Sequence, residues 1–241
     1  GDVYKRQELD FVLPGLFPID WQRFYSSLDA RTDGLFGAGW SVAYEVSVEI
    51  DKDENLFYID EQGRRLEIGY IPASGGAFDP VEGLAVRRSG DAAVLIESTD
   101  GLYRLFELDP QNHSRMRLQL LGDRNEGRIF LDYDAQGRLC RLRDTHDLMH
   151  VDLSYTAEHP GRVSHIERRY LRQDHFDGRC DVLVSYRYDS NGDLAEVLDA
   201  QGTTLRSFAY DSGRRMTVHR LPSGMRCFYQ WAQVPGPDGS E

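Results

Sequence analysis

The sequence predicts an all-β fold assembled from antiparallel β-hairpins, and three observations predict it. A Tyr-Asp motif returns at a regular interval in the C-terminal half of the chain. Several segments alternate apolar and polar residues with the period of two that suits a half-buried strand. The 13 Tyr, 23 Gly and 9 Pro favour strands joined by many turns, and no window resembles a long amphipathic helix.

The Tyr-Asp motif occupies residues 131–232 and indicates a repeat. Tyr133 and Tyr155 are 22 residues apart, as are Tyr188 and Tyr210. The interval between Tyr155 and Tyr188 is 33 residues, which indicates an insertion near 156–180. A fixed period of this size is typical of repeat architectures. The predicted repeat-motif residues are Tyr133, Asp134, Gly137, Arg138, Tyr155, Tyr188, Asp189, Gly192, Tyr210, Asp211 and Gly213.

Each unit of this repeat predicts one β-hairpin. In Asp-x-x-Gly the Asp side chain bonds its own backbone, and Gly accepts a positive φ without steric cost. An apolar residue follows six positions after the Tyr, at Leu139, Leu194 and Met216. The alternative is an ordinary antiparallel domain whose hairpins merely share turn chemistry. Several matched positions in one register favour the true repeat.

Upstream of the repeats the chain divides into shorter stretches. Residues 1–7 have no initiator Met and no apolar signal core, so we interpret them as a non-native or truncated leader, with no cleavable signal peptide visible. Residues 8–50 form a separate domain whose most regular strand is predicted at 41–50. Residues 51–130 predict irregular hairpins, among which 60–64 repeats the Asp-x-x-Gly-Arg turn. Residues 233–241 form a tail.

Composition and charge exclude several classes of protein. The 40% hydrophobic and 28% charged residues are typical of a globular chain. The formal net charge of −12 argues against nucleic acid as the main partner. Three widely spaced cysteines predict neither a disulfide framework nor a zinc site. No apolar run reaches the ~20 residues that span a bilayer.

These motifs resemble the Rhs (rearrangement hotspot) and YD-repeat family of polymorphic toxins. The family signature is Tyr-Asp-x-x-Gly-Arg-Leu followed by a Tyr-x-Tyr-Asp ending, found here at 186–189. The segments 17–27 and 37–40 are similar to the conserved domain of undefined function that precedes the repeats in that family. The resemblance covers roughly residues 8–231. Its site residues in the pre-repeat domain are Arg23, Tyr25, Gly37, Gly39 and Trp40.

The chain departs from the family pattern at three places. Gly213 stands one position early, Thr156 replaces the Asp after Tyr155, and Trp231 stands where the next Tyr is expected. These changes weaken single turns and leave the register intact.

The resemblance implies a β-sheet that spirals into a hollow shell (a β-cocoon) around a C-terminal toxin. It implies a bacterial secreted or delivered effector, commonly loaded on a type VI secretion spike for use against competing bacteria. The expected partners are the remainder of the same shell and the enclosed toxin, with a secretion spike or a chaperone as further candidates. An open final strand predicts edge-to-edge association unless the segment around 235–237 caps it.

No motif in the sequence predicts catalysis, a cofactor or a metal. The segment 51–55 has the alternating acidic residues that open a calcium loop, but it lacks the Gly and Glu that complete one. His146 and His150 share one face of a strand but lie about 13 Å apart there, too far for one metal ion. No Ser or Cys has a recognisable catalytic partner.

The sequence therefore favours a structural, non-enzymatic shell segment. The alternative is an adhesin-like module that binds carbohydrate or protein through exposed motif aromatics. A carbohydrate-active enzyme is the third hypothesis, because two carboxylates placed ~5–10 Å apart suffice for glycosidase chemistry.

Overall fold

The computed structural model describes residues 4–146, 149–172 and 175–231, and they form twenty strands. The described part of the chain contains no α-helix and a single 3-10 turn at Ala43–Glu45. The all-β prediction is confirmed. The strands are β1 (Lys5–Leu13), β2 (Ile19–Ser26), β3 (Trp40–Val42), β4 (Ser47–Ile50), β5 (Asn55–Ile59), β6 (Arg65–Tyr70), β7 (Gly76–Asp79), β8 (Leu84–Ser89), β9 (Ala93–Ser98), β10 (Tyr103–Asp109), β11 (Asn112–Gly122), β12 (Arg128–Tyr133), β13 (Leu139–Asp144), β14 (Met149–Tyr155), β15 (Val163–Arg172), β16 (His175–Tyr188), β17 (Leu194–Leu198), β18 (Thr204–Tyr210), β19 (Met216–Arg220) and β20 (Arg226–Phe228).

One five-residue turn closes most of the hairpins. Its first residue donates its N–H to the carbonyl of its fifth residue, and its fourth residue has a φ between 61° and 89°. This is the three-residue hairpin loop in which a type I turn is followed by a left-handed residue. Within the described ranges it begins at Asp51, Asp60, Ser98, Asp123, Asp134, Asp189, Asp199, Asp211 and Leu221.

The aspartates that open these turns explain why the motif favours Asp. In the turn at Asp134, the Oδ1 atom accepts the N–H groups of Gln136 and Arg138, and Oδ2 accepts the Arg138 Nε–H at 2.7 Å. Gly137 occupies the fourth position with a φ of 79°. The turn at Asp60 has the same bonds, so 60–64 is a structural copy of the motif, as predicted.

The strands form two sheets. The N-terminal sheet contains β1, β2 and β3, and the long sheet contains β4 to β20. In the long sheet, β7 to β20 pair with their sequence neighbours in antiparallel order, and β4, β5 and β6 join through β11.

The long sheet turns back upon its own beginning at β11. One edge of β11 pairs first with β4, through residues 115–117, and then with β12, through residues 120–122. Strands β4 and β12 therefore lie end to end along the same neighbour. A sheet that meets its first strand and continues past it is a spiral, as the resemblance implied.

The core runs continuously from the N-terminal sheet into the long sheet. Trp21, Tyr25, Phe36 and Trp40 are buried in one cluster with apolar residues from strands β4 to β19. The N-terminal sheet thus covers one face of strands β16 to β19. The boundary between the sheets lies at the 3-10 turn, inside the predicted pre-repeat domain.

The prediction of a single strand over 41–50 is wrong. Both Glu45 carboxylate oxygens accept backbone N–H groups, from Leu35 at 2.7 Å and from Val42 at 3.1 Å. These bonds bend the chain into the 3-10 turn. The residues before the turn belong to β3 of the N-terminal sheet, and the residues after it form β4 of the long sheet.

Strand β1 begins at Lys5, inside the predicted leader, and the 233–241 tail lies outside the described residues. The insertion near 156–180 becomes a wide turn and the β15–β16 hairpin.

Candidate functional site at the junction of the two sheets

A buried ion pair lies at the centre of the contact between the two sheets, which we call the junction. The Arg23 side chain is 0% exposed and donates to both Asp10 carboxylate oxygens, at 2.6 and 2.9 Å. The Tyr186 hydroxyl of β16 donates to the same carboxylate. Burial alone would lower the pKa of Arg23, but Asp10 outweighs it, and the pKa lies above its ordinary value. Arg23 therefore stays charged.

Aromatic rings enclose this guanidinium. Its carbon lies 4.7 Å from the centre of the Trp40 ring, and the rings of Phe36, Tyr186 and Phe208 lie within about 6 Å. Phe36 packs edge-on against Tyr186 at 4.7 Å, and Trp40 against Phe208 at 5.0 Å. Each pair joins the N-terminal region to the long sheet.

A β-bulge in β1 supplies the carboxylates of the junction. The register with β2 shifts between Leu9 and Phe11, at Asp10. Glu8 and Asp10 point inward before the bulge, and Leu13 points inward after it. A bulge of this kind re-aims side chains, and it lets one short strand present both acids and apolar groups to the long sheet.

The loop that precedes Trp40 fits closely against a repeat turn. The Asp193 side chain is 0% exposed; it accepts the Ala38 N–H at 2.8 Å and binds the Arg214 guanidinium at 2.6 and 2.8 Å. A Cβ atom added to Gly37, whose φ is 85°, would lie 2.5 Å from the Gly192 carbonyl oxygen. Only glycine fits at this position.

Arg214 corrects one predicted motif residue. Gly213 was predicted as the glycine of its turn, but Arg214 holds the fourth position, with a φ of 61°. A left-handed non-glycine residue costs roughly 1 kcal/mol. The bidentate bond to the buried Asp193 offsets that cost, and it raises the pKa of Arg214.

The remaining predicted pre-repeat residues also meet the repeats. The Trp40 Nε1–H donates to the Tyr210 hydroxyl at 2.8 Å, and the Tyr25 hydroxyl accepts the Met216 N–H at 2.8 Å. Gly39 lies against the Tyr25 ring, where a Cβ would approach to 2.6 Å. The structure thus brings together Arg23, Tyr25, Gly37, Gly39 and Trp40.

The motif tyrosines form a regular series of backbone bonds along the long sheet. The Tyr155 hydroxyl donates to the carbonyl of Leu139, the apolar residue six positions after the preceding motif Tyr. Trp231 replaces the next expected Tyr and makes the equivalent bond through Nε1. The series, at 2.6 to 2.8 Å, comprises Tyr133 to Leu118, Tyr155 to Leu139, Tyr188 to Val163, Tyr210 to Leu194 and Trp231 to Met216.

Burial raises the pKa of Tyr155, Tyr188 and Tyr210 above the ordinary value for tyrosine. These hydroxyls therefore stay protonated at neutral pH and act as permanent donors. Each bond joins one hairpin to the previous one. A motif Tyr must therefore recur at the same place in successive hairpins, which explains the 22-residue spacing.

Replacing Tyr155 with phenylalanine is expected to lower the free energy of unfolding by about 1–2 kcal/mol, because the Leu139 carbonyl loses its side-chain donor in a buried position. Chemical denaturation would measure the change. Tyr70→Phe is the matched control, because Tyr70 is 59% exposed, and a change below about 0.5 kcal/mol is expected there. Equal effects for the two variants would contradict the proposed role of the bond.

Arg162 is a further contact that sequence inspection missed. Its guanidinium donates to three backbone carbonyls: Gly192 at 2.6 Å, Gly34 at 2.8 Å and Thr32 at 2.6 Å. It therefore connects the β14–β15 turn, the pre-repeat loop and the next repeat turn. No local pattern marks Arg162. Asp193 is marked weakly in the sequence, because it stands at the position where the repeat motif has Arg.

Several residues that could have served carbohydrate or metal binding are buried or bound within the protein. Binding of carbohydrate needs exposed aromatics, but Tyr186 and Phe208 of the repeat region are only 4% and 6% exposed. Asp51 opens a hairpin turn and binds the Asn55 N–H and side chain. Among the described residues, no group of three or more His, Cys, Asp or Glu could hold a metal ion, and the cysteines are free thiols. No helix in the described ranges is long and apolar enough to cross a membrane.

The fold and the junction define a class: a β-repeat protein in which buried polar side chains bind one another. Comparison with known proteins agrees. The domain of unknown function DUF6531 matches residues 1–68, and the RHS repeat matches residues 188–224.

Two curated toxins align with almost the whole chain. Double-stranded DNA deaminase toxin A of Burkholderia cenocepacia is 29% identical over 232 residues, which cover 95% of this chain and 15% of that protein. Toxin protein Tse5 of Pseudomonas aeruginosa is 25% identical over 272 aligned positions, covering 99% of this chain and 20% of that protein. The chain spans a fifth or less of these relatives. The two family matches and the two toxin relatives together support an Rhs/YD-repeat polymorphic toxin family.

Proposed function

We propose that this chain is the opening segment of a shell that encloses a C-terminal toxin within a longer Rhs protein. The observation that carries the proposal is the junction, where a pre-repeat sheet is held by buried polar bonds on one face of a spiralling sheet. The end-to-end placement of β4 and β12 on β11 supports it, because a spiral of this kind encloses space as it continues.

The segment itself is proposed to be non-catalytic. Two carboxylates of the junction are bound by arginines of the same chain: Asp10 by Arg23, and Asp193 by Arg214. The motif hydroxyls bind backbone carbonyls. A substrate would have to displace these bonds, so the arrangement suits a scaffold.

The remaining parts of the proposal concern the longer protein. Its partners are the rest of the shell and the toxin within it, with a secretion spike or a chaperone in addition. The family resemblance supports a role in bacterial competition, with delivery of the loaded shell by a type VI secretion system.

The test is protease protection of the toxin segment in the longer natural protein. The C-terminal segment is expected to survive digestion in the intact protein and to be degraded within minutes once released by denaturant. Gly37→Ala should increase its cleavage, whereas Gly202→Ala should not, because a Cβ at Gly202 meets nothing within 4 Å. A toxin segment digested equally fast in all proteins would contradict enclosure.

A second assay tests the non-catalytic role of the segment. The purified 241-residue chain is expected to show no hydrolysis of glycosides or esters. Turnover that is abolished by a single Asp or Glu substitution would contradict the scaffold proposal.

A further inference from the structure

A buried histidine lies at the junction without a hydrogen-bond partner for either ring nitrogen. His219 on β19 is 0% exposed, and both Nδ1 and Nε2 lack a partner among the described residues. Its ring stacks on Phe208, with centroids 5.0 Å apart and planes 9° apart. A buried polar group without a partner is rare in proteins and invites an explanation.

The carboxylates near His219 are already paired with arginines. Glu8 of β1 is the nearest carboxylate, with Oε1 3.7 Å from His219 Nε2. The same Glu8 carboxylate binds Arg6 and binds Arg206 of β18 at 2.7 Å. Farther in, Arg23 of β2 pairs with Asp10, to which Tyr186 of β16 also donates.

Protonation of His219 would therefore add a charge that this cluster cannot accept. Three arginines (Arg6, Arg23 and Arg206) already face two carboxylates (Glu8 and Asp10). The residue opposite His219 on β20 is Cys227, a free thiol. A fourth cation in a buried site lacks both water and an unpaired anion.

We propose that His219 makes the junction an acid-sensitive latch, which holds the N-terminal sheet on the repeats at neutral pH and releases it under mild acid. The N-terminal sheet supplies Arg6, Glu8 and Arg23, and the long sheet supplies Arg206 and His219. Separation of the sheets would expose the imidazole to water, where it takes up a proton without penalty.

The direction of the effect follows from the two states of the latch. Burial, followed by Arg6, Arg206 and Arg23, lowers the pKa of His219 to about 4 in the closed state, against about 6.5 for a histidine in water. The open state binds more protons between these two values, so closure is fully favourable above about pH 6.5 and weakens as the pH falls. At pH 5 the closure equilibrium is expected to be about 30-fold less favourable than at pH 8.

Hydrogen exchange of the whole chain between pH 8 and pH 5 tests the latch, after correction for the intrinsic pH dependence of exchange. Peptides from β1 to β3 are expected to lose about 30-fold in protection at pH 5, while peptides from β8 to β10 keep theirs. His219→Phe keeps the ring stack and removes the titration, so its junction protection should not depend on pH. His165→Gln is the control, because the His165 side chain is 35% exposed, and it should behave like the natural chain.

Two outcomes would overturn the proposal. One is an identical pH dependence in the natural chain and in His219→Phe. The other is simultaneous loss of protection in both sheets, which would mean cooperative unfolding. If His219→Phe does not fold, His219→Gln replaces it, and NMR titration of the natural chain supplies an independent readout. A His219 pKa near 6.5 in the native state would contradict the latch.

Discussion

Replacing Arg23 with leucine is expected to lower the free energy of unfolding by about 3–5 kcal/mol. The substitution leaves the Asp10 carboxylate, 3% exposed, without its counter-ion. Removing one partner of a buried pair is costly because the remaining charge stays desolvated. Denaturant unfolding followed by circular dichroism measures the change.

Two further variants isolate the cause. Arg187→Ala breaks a surface pair in which the arginine is 64% exposed, and a loss of less than about 1 kcal/mol is expected. Adding Asp10→Leu to Arg23→Leu removes the stranded charge and should recover part of the stability. If Arg23→Leu costs no more than Arg187→Ala, the ion pair does not support the junction.

Replacing Gly37 with alanine is expected to cost about 3 kcal/mol. About 1 kcal/mol comes from the left-handed backbone, and the rest comes from the overlap of the new Cβ with the Gly192 carbonyl and the Asp193 carboxylate, 2.5 and 2.6 Å away. Because the clash lies between the two sheets, the damage should be local. Thermal unfolding and protease sensitivity of β1 to β3 measure it.

The matched control for Gly37 is Gly202, which also has a positive φ of 82° but has nothing within 4 Å of its Cβ position. Gly202→Ala therefore reports the backbone strain alone, about 1 kcal/mol. The difference between the two variants is the contact term. Equal losses would show that the pre-repeat loop does not press on the repeat turn.

Local chemistry made the hairpins predictable. Asp60 and Asp134 open turns that their own sequence specifies, because an Asp side chain and a left-handed glycine act within five residues. The stretch 41–50 shows the limit of this approach. Apolar and polar residues do alternate there, but the N–H groups of Leu35 and Val42 donate to Glu45 and bend the chain. The periodicity of the sequence does not reveal these two bonds.

The sequence identified several residues of the junction but not the contacts between them. The resemblance selected Gly37 and Trp40, but the contacts there reach far along the sequence. Trp40 binds Tyr210, 170 residues away, and Ala38, next to Gly37, binds Asp193, 155 residues away. Asp10 was missed because the sequence does not reveal the bulge that lets Asp10 and Leu13 point inward from the same strand. His219 was missed because a single histidine in an alternating strand carries no signal of its burial.

Trp231 takes the place of a motif tyrosine in the structure. In the sequence it is a departure from the repeat, because Tyr is expected there. In the structure its indole N–H takes the place of the tyrosine hydroxyl and binds the Met216 carbonyl at 2.8 Å. What the repeat maintains is a donor at the end of an aromatic ring, and two residue types supply it.

The pre-repeat sheet and the repeats form one structure through the junction. A double-mutant cycle on Trp40→Phe and Tyr210→Phe tests it most directly, because the bond at 2.8 Å joins residues of different sheets. The predicted result is a coupling energy of about 1 kcal/mol, as is usual for residues in contact. Additive losses, with coupling below about 0.3 kcal/mol, would show that the two residues do not interact, and would contradict the claim.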